Sequence, residues 1–214
     1  MSKPQMLKAT TRPMELADLE SVAKQHLAHL PAGFFGSLGE RFLVAYYRTY
    51  LTSPVAVALI VEVDGQPVGY LVGTVDEASH RQHVIRLERT RLAITGLWCM
   101  AMRPQIVPRF VRTRLRKYGR AIRLSVHRNA RSQRPRRLGV LHHIAITSTK
   151  QRCGLGSELV SKFVSIGQIH SVEAFQLLTH TSNQSAKRFY LKHGWSVKDE
   201  ISDNDGEEWV LMTC

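Results

Sequence analysis

The chain has 214 residues, an ordinary hydrophobic content of 43% and three cysteines. These values favour a single globular domain over 1–214 and argue against a disulfide framework, and no apolar run reaches the roughly 20 residues of a membrane-spanning helix. The net charge of +13 is concentrated locally, because His80 to Arg137 holds 17 Lys and Arg against one acidic residue, Glu88. Without an apolar leader or a metal-ligand pattern, we expect a cytoplasmic protein that binds no metal.

The first 75 residues predict a strand, two helices and a hairpin. Asp64-Gly65 separates two apolar, β-rich runs and is typical of a hairpin turn. Phe34 and Phe35 belong to an apolar loop, interrupted by Pro and Gly, between the two helices. The predicted elements are a strand over 8–12, a helix that begins near Pro13, a helix over 38–51, and hairpin strands over 57–63 and 67–75.

Residues 76–137 form a basic segment, in which arginines alternate with apolar residues. Helices are predicted over 87–102 and 107–126, so we expect a helical insertion. Four interpretations of it stay open: a solvated helical cover, a lid that binds an anionic substrate, an amphipathic segment on anionic lipid, and a nucleic-acid-binding segment. The last ranks lowest, because the segment contains no recognisable nucleic-acid-binding motif.

The remaining residues return to alternating strands and helices. The predicted elements are strands over 139–146, 175–179, 195–197 and 209–212, helices over 157–169 and 183–193, and a turn over 203–206. This order indicates an α/β sheet with crossover helices.

A glycine-containing loop, Gln151 to Gly156, lies between the predicted strand and helix. Its two glycines allow the backbone to approach a ligand closely, and the following helix presents N–H groups and the positive end of its dipole. The loop therefore suits a pyrophosphate, although by itself it fits an ordinary tight turn equally well.

Two motifs, in order, resemble the GNAT superfamily of N-acetyltransferases. Gln151-x-x-Gly154-x-Gly156 resembles the acyl-CoA loop of that family. The stretch from Asn183 to Gly194 resembles its second signature, with Trp195 where the family has Phe. The resemblance covers about 1–75 and 138–214 and leaves the basic segment unexplained.

The resemblance implies a mixed, mostly antiparallel α/β (α+β) sheet whose splayed strands hold acetyl-CoA as cosubstrate, with helices on its faces. A neutral primary amine would attack the thioester directly. Cofactor contacts implied by the resemblance come from one strand, the loop with the start of its helix, and the second motif: Ile144, Ala145, Ile146, Gln151, Arg152, Cys153, Gly154, Leu155, Gly156, Ser157, Asn183 and Ala186.

Tyr190 is the acid that the resemblance implies, placed near the thioester sulfur. Its hydroxyl is protonated at neutral pH and can donate as charge develops on sulfur. Periodicity alone instead favours a core tyrosine on an amphipathic helix.

His142 and His143 are the candidate bases, since an imidazole accepts protons near neutrality. Strand alternation predicts that they lie on opposite faces, and we favour His142. Hydrogen-bonded structural histidines remain the alternative for both. Weaker candidates for the base are His180, Glu62 and Asp76.

The acceptor is expected to be a small amine, such as an amino sugar or natural-product intermediate, with Phe34 and Phe35 facing it. Simple core packing of the two phenylalanines is the alternative. The competing function is a non-catalytic acyl-CoA-binding module or a module on a membrane surface. The resemblance also leaves a homodimer open.

Overall fold

A computed structural model describes residues 9–30, 34–110, 137–202 and 207–214. Within them, seven strands form one sheet in the order β1-β2-β3-β4-β5-β7-β6. The strands are β1 Ala9–Pro13, β2 Ala56–Val63, β3 Gln66–Thr74, β4 Leu138–Ile146, β5 Ala174–His180, β6 Ser196–Ser202 and β7 Glu208–Thr213. The sheet is mixed and mostly antiparallel, as expected, because β4 with β5 is its one parallel pair.

The parallel pair opens part-way along its length. Residues 138–141 of β4 pair with 174–177 of β5, and the pairing ends there. Beyond that point β4 continues beside β3 to Ile146, whereas β5 continues beside β7 to His180. The two strands therefore diverge and leave a wedge-shaped opening in the sheet.

Helices cover both faces of the sheet. They are α1 Leu19–His29, α2 Phe34–Leu38, α3 Glu40–Thr52, α4 Glu77–His83, α5 Arg89–Ala101, α6 Val107–Phe110, α7 Leu155–Ile169 and α8 Gln184–Lys192. Short 3-10 turns lie at Leu16–Asp18, Pro104–Ile106 and Ser148–Lys150, and a π-helical turn lies at Val84–Glu88. Phe34 and Phe35, expected to lie in a loop, are the first two residues of α2.

One core lies beneath α7 and the other beneath α1 and α3. On the first face, Phe163 is fully buried and packs edge-to-face on Phe175. A Cβ at Gly73 of β3 would lie 2.6 Å from Phe163 Cε2, so this glycine is what lets α7 approach the sheet. On the second face, Tyr47 of α3 packs against Tyr70 of β3, with hydroxyl oxygens 2.8 Å apart.

The predicted hairpin and the elements that flank the glycine-containing loop are confirmed, with ends that differ by one or two residues. β6 is longer than predicted and runs to Ser202. In the basic segment, 77–110 is helical or in turns, including α5 where a helix was predicted. The rest of the helix predicted over 107–126, and the turn predicted over 203–206, lie outside the described residues.

Candidate active site

The glycine-containing loop leads directly into the first turn of α7. Gly154 has φ of 83°, a left-handed conformation that glycine adopts without strain. The first hydrogen bond of the helix runs from Glu158 N–H to Gly154 O at 3.0 Å, so helix geometry leaves the preceding N–H groups of the first turn without intrahelical partners. Gln151 Nε2 donates to Ile146 O at 3.0 Å and ties the loop to the end of β4.

α8 packs against the first turn of α7. A Cβ at Gly156 would lie 3.5 Å from Phe189 Cζ and 4.0 Å from Ile146 Cγ1. The start of α7, the end of β4 and α8 therefore lie next to one another at the opening. Asn183 caps α8, since its Oδ1 accepts the Ala186 N–H at 3.0 Å. The cap does not use the Asn183 amide N–H₂, so the predicted contact with the CoA arm is still open to it.

Tyr190 lies in the core between α7 and α8, only 5% exposed. Its ring packs against Phe189 and Trp195, with centroids 5.1 and 5.7 Å away. Burial raises the pKa of Tyr190 well above its usual value, which keeps the hydroxyl protonated. The side chain is therefore a core tyrosine, as periodicity indicated, and its role as the acid stays a prediction.

A β-bulge sets the direction of the two candidate bases. Val72 of β3 pairs with His143, and the register shifts by one residue there, so His142 has no partner opposite it. The bulge breaks strand alternation, and both imidazoles lie on the face covered by α3. The ring of His142 is 5.6 Å from Tyr50, and the ring of His143 is 5.7 Å from Tyr46. The prediction that they occupy opposite faces is wrong.

His142 is paired with Glu77, the first residue of α4. His142 Nε2 lies 2.9 Å from Glu77 Oε2, which also accepts from Thr74 Oγ1 at 3.0 Å. Burial would raise the pKa of Glu77, but the hydrogen bonds from His142 and Thr74 outweigh it and hold the pKa below its usual value. Since an ionised carboxylate can only accept, Nε2 of a neutral His142 carries the proton and Nδ1 is its acceptor nitrogen. The His142 side chain is 22% exposed and therefore accessible.

His143 has a more enclosed environment. Its Nε2 lies 3.1 Å from the hydroxyl of Tyr46, and its ring meets that of His26 at 5.1 Å. Burial, and then the neighbouring His26 and His142, lower the pKa of His143 well below its usual value, so it is neutral at pH 7. Burial raises the pKa of Tyr46 to about 12.

The weaker base candidates form ion pairs or hydrogen bonds with other residues. Glu62 forms an ion pair with Arg12 at 2.7 Å, and Asp76 caps α4 by accepting the Ser79 N–H at 3.0 Å. His180 Nδ1 lies 2.6 Å from Ser182 Oγ, and its Nε2 lies 2.7 Å from a Glu207 carboxylate oxygen.

Phe35 packs within the α3 face, stacked on Phe42 at 5.5 Å and beside Tyr46 at 4.9 Å. Phe35 therefore contributes to packing. It contacts Tyr46, whose hydroxyl in turn lies 3.1 Å from His143 Nε2. Phe34 begins α2, and its predicted contact with the acceptor stays a prediction.

Solved structures share this fold along nearly the whole chain. Ard1 from Thermoplasma volcanium is 17% identical with a TM-score of 0.58, covering 96% of this chain and 96% of its own. The ribosomal-protein-S18-alanine N-acetyltransferase from Escherichia coli is 13% identical (TM-score 0.54; 96% and 92% covered). A spermidine N-acetyltransferase chimera from Vibrio cholerae and hSSAT is 12% identical (TM-score 0.59; 96% and 94% covered). At these identities the likeness shows the fold.

A family model described as the acetyltransferase (GNAT) family matches residues 116–195, which include the glycine-containing loop and the whole second motif. This match spans less than half of the chain, and over it the chain is similar to that family. No curated protein matches the chain in sequence.

Sequence reasoning missed three residues at this candidate site. Glu77 lies 65 positions from His142 and Tyr46 lies 97 positions from His143, so no local pattern links either pair. Phe189, which contacts Gly156, occupies a position that the second motif requires only to be apolar. The available signal for Phe189 was its position in the second motif, one residue before Tyr190.

Proposed function

We propose that this chain is a GNAT acetyltransferase that moves the acetyl group of acetyl-CoA directly onto a primary amine of a small molecule, such as an amino sugar or a natural-product intermediate. The observation that carries the proposal is the opening between β4 and β5. The glycine-containing loop lies at this opening on the α7 side, and the His142–Glu77 pair lies on the α3 side. Donor and acceptor can therefore approach the reacting carbon from opposite faces of the sheet.

The donor side holds acetyl-CoA through backbone groups. The N–H groups of Leu155, Gly156 and Ser157, at the positive end of the α7 dipole, bind the pyrophosphate. The edge of β4 over residues 142–146, which does not pair with β5, lies beside the pantetheine arm. Bound acetyl-CoA supplies the acetyl group as a thioester.

The acceptor side deprotonates the amine. Nδ1 of His142 accepts the proton that the attacking nitrogen loses as the new C–N bond forms, and Glu77 stabilises the resulting imidazolium through Nε2–H. The C–S bond breaks, and Tyr190 donates its hydroxyl proton to the departing sulfur. Tyr190 is then reprotonated from solvent, and the imidazolium of His142 loses its proton to solvent, which completes the proton balance.

Two substitutions separate catalysis from cofactor binding. We expect Tyr190→Phe and His142→Gln each to lower kcat about 100-fold while changing acetyl-CoA affinity less than about threefold. The assay is thiol release from acetyl-CoA over a panel of amines, with calorimetric titration of acetyl-CoA. The matched control is His170→Gln, because His170 lies exposed at the far end of α7, roughly 20 Å from the loop.

The outcomes distinguish the competing functions. Acetyl-CoA binding without turnover of any amine would favour a non-catalytic acyl-CoA-binding module instead. Unchanged turnover in both variants would show that Tyr190 is not the acid and His142 is not the base. Failure of folded protein to bind acetyl-CoA would contradict the whole assignment.

A further inference from the structure

α5 exposes an apolar surface on the side opposite its packed face. Gly96 and Cys99 face the body of the protein, where Cys99 is buried with Phe42 of α3. On the outer side, Ile94 is 63% exposed and Leu97 is 64% exposed. The helix is thus apolar both toward the protein and toward solvent, whereas a helix that only covers a core is polar outside.

The surface extends beyond α5 in both directions. Among the described residues, seven of the thirteen exposed large apolar side chains lie between positions 85 and 107, so the exposure is concentrated rather than scattered. We call these seven the apolar surface: Ile85, Leu87, Ile94, Leu97, Trp98, Met102 and Val107.

The charges around the apolar surface have a single sign. Arg86, Arg89 and Arg91 are exposed and interleave with its first members. The one acidic residue of the stretch, Glu88, is buried and accepts a hydrogen bond from Thr52 at 3.0 Å. Apolar side chains bordered by arginines therefore face outward together.

We propose that the apolar surface docks on an anionic phospholipid bilayer. Leu97 and Trp98 would lie at the boundary between headgroups and acyl chains, with Arg89 and Arg91 against lipid phosphates. Trp98 suits that boundary because its indole has both apolar and polar parts, and the guanidinium of Arg41 already lies 4.5 Å from its ring. Within the described residues no helix has the length and hydrophobicity to cross a bilayer, so this is contact with a surface.

The charges favour lipid over the other occupants of such a surface. A second copy related by a two-fold axis would place these arginines opposite arginines. A nucleic acid would neutralise the arginines but would leave the apolar side chains with no partner. Anionic lipid satisfies both features at once.

Vesicle binding with Trp98 as reporter tests the proposal. Wild-type protein should co-sediment with phosphatidylglycerol-containing vesicles, bind pure phosphatidylcholine weakly, and show a blue shift of Trp fluorescence that Trp98→Phe abolishes. Trp98 is a selective reporter because Trp195 is buried and Trp209 is partly so. Raising the salt concentration should weaken binding, because the arginine contacts are screened.

A double variant and a matched control isolate the apolar surface. Ile94→Gln with Leu97→Gln should lower vesicle affinity about tenfold or more, because both side chains would leave the bilayer. Leu16→Gln with Ile169→Gln removes two apolar side chains elsewhere, which are 61% and 81% exposed, and should leave affinity unchanged.

Four results would overturn the proposal. One is equal vesicle affinity in wild type and double variant, which would assign binding to charge alone. Another is no vesicle binding combined with a Trp98 emission already shifted to the blue in solution, which would mean that the surface is covered within the chain. A third is concentration-dependent dimerisation that the double variant abolishes. The fourth is binding to duplex DNA at low salt without binding to vesicles.

Discussion

Acidification should destabilise this protein, because its buried histidines resist protonation in the folded state. A substitution of His80 tests the contribution of one of them. His80 is 6% exposed, its ring stacks on Tyr50 at 4.9 Å, and its Nδ1 has no hydrogen-bond partner among the described residues. Burial, and then the charge of His142, lower the pKa of His80 to about 4. We therefore expect His80→Phe, which keeps a ring against Tyr50, to reduce the dependence of stability on pH.

The sign follows from proton binding. The unfolded chain, with a histidine pKa near 6.5, binds more protons than the folded chain between pH 4 and 6.5. The stabilisation from neutral His80 is therefore complete above pH 6.5 and is lost as the pH falls toward 4. Between pH 7 and 5 the loss is about 2 kcal/mol, a substantial part of a typical free energy of unfolding of about 5–15 kcal/mol.

Urea unfolding followed by circular dichroism at pH 7 and pH 5 measures this difference. The wild-type free energy of unfolding should fall by about 2 kcal/mol more than that of His80→Phe over this interval. His26, whose pKa burial lowers to about 4, should keep some pH dependence in the variant. His170→Phe, at an exposed position, should behave as wild type. An identical pH dependence in His80→Phe and wild type would refute the reasoning.

Three further substitutions test the core, the loop and the acceptor side. Phe163→Ala should lower the free energy of unfolding in urea by about 3–5 kcal/mol, because the side chain is fully buried, and a loss below 1 kcal/mol would contradict that packing. Gly154→Ala should cost about 1–2 kcal/mol in the same assay, because its Cβ meets open space but its φ is 83°. Glu77→Gln should lower kcat about tenfold or more, leave the KM for acetyl-CoA within about twofold, and shift the pH–rate profile, since it removes the carboxylate beside His142. An unchanged profile would assign Glu77 a structural role only.

The elements could be predicted where neighbouring residues determine the backbone. Asp64 and Gly65 both adopt positive φ, as a tight hairpin turn between β2 and β3 requires. Gly194, with φ of 81°, ends α8 where glycine was expected to stop a helix. Gly154 likewise adopts the left-handed conformation immediately before α7. In each case the preference belongs to the residue itself.

The outward face of α5 was harder to predict from composition alone. The sequence shows arginines between apolar residues but does not say which apolar residues pack inward. Contact with α3 decides this, because Cys99 is buried against Phe42 of α3 and Gly96 lies on the same side of the helix. The remaining apolar side chains are then left outside.

The sequence by itself determined the order of strands and helices, the glycine-containing loop and the two motifs, because dihedral preferences and side-chain periodicity act over a few residues. Only the tertiary structure decided which groups surround His142. The bulge depends on how β3 and β4 align, and the contact with Glu77 joins residues 65 positions apart. Such contacts follow from strand register and from the packing of α3 and α4 on the sheet, and both are set by the whole fold rather than by any local stretch of the chain.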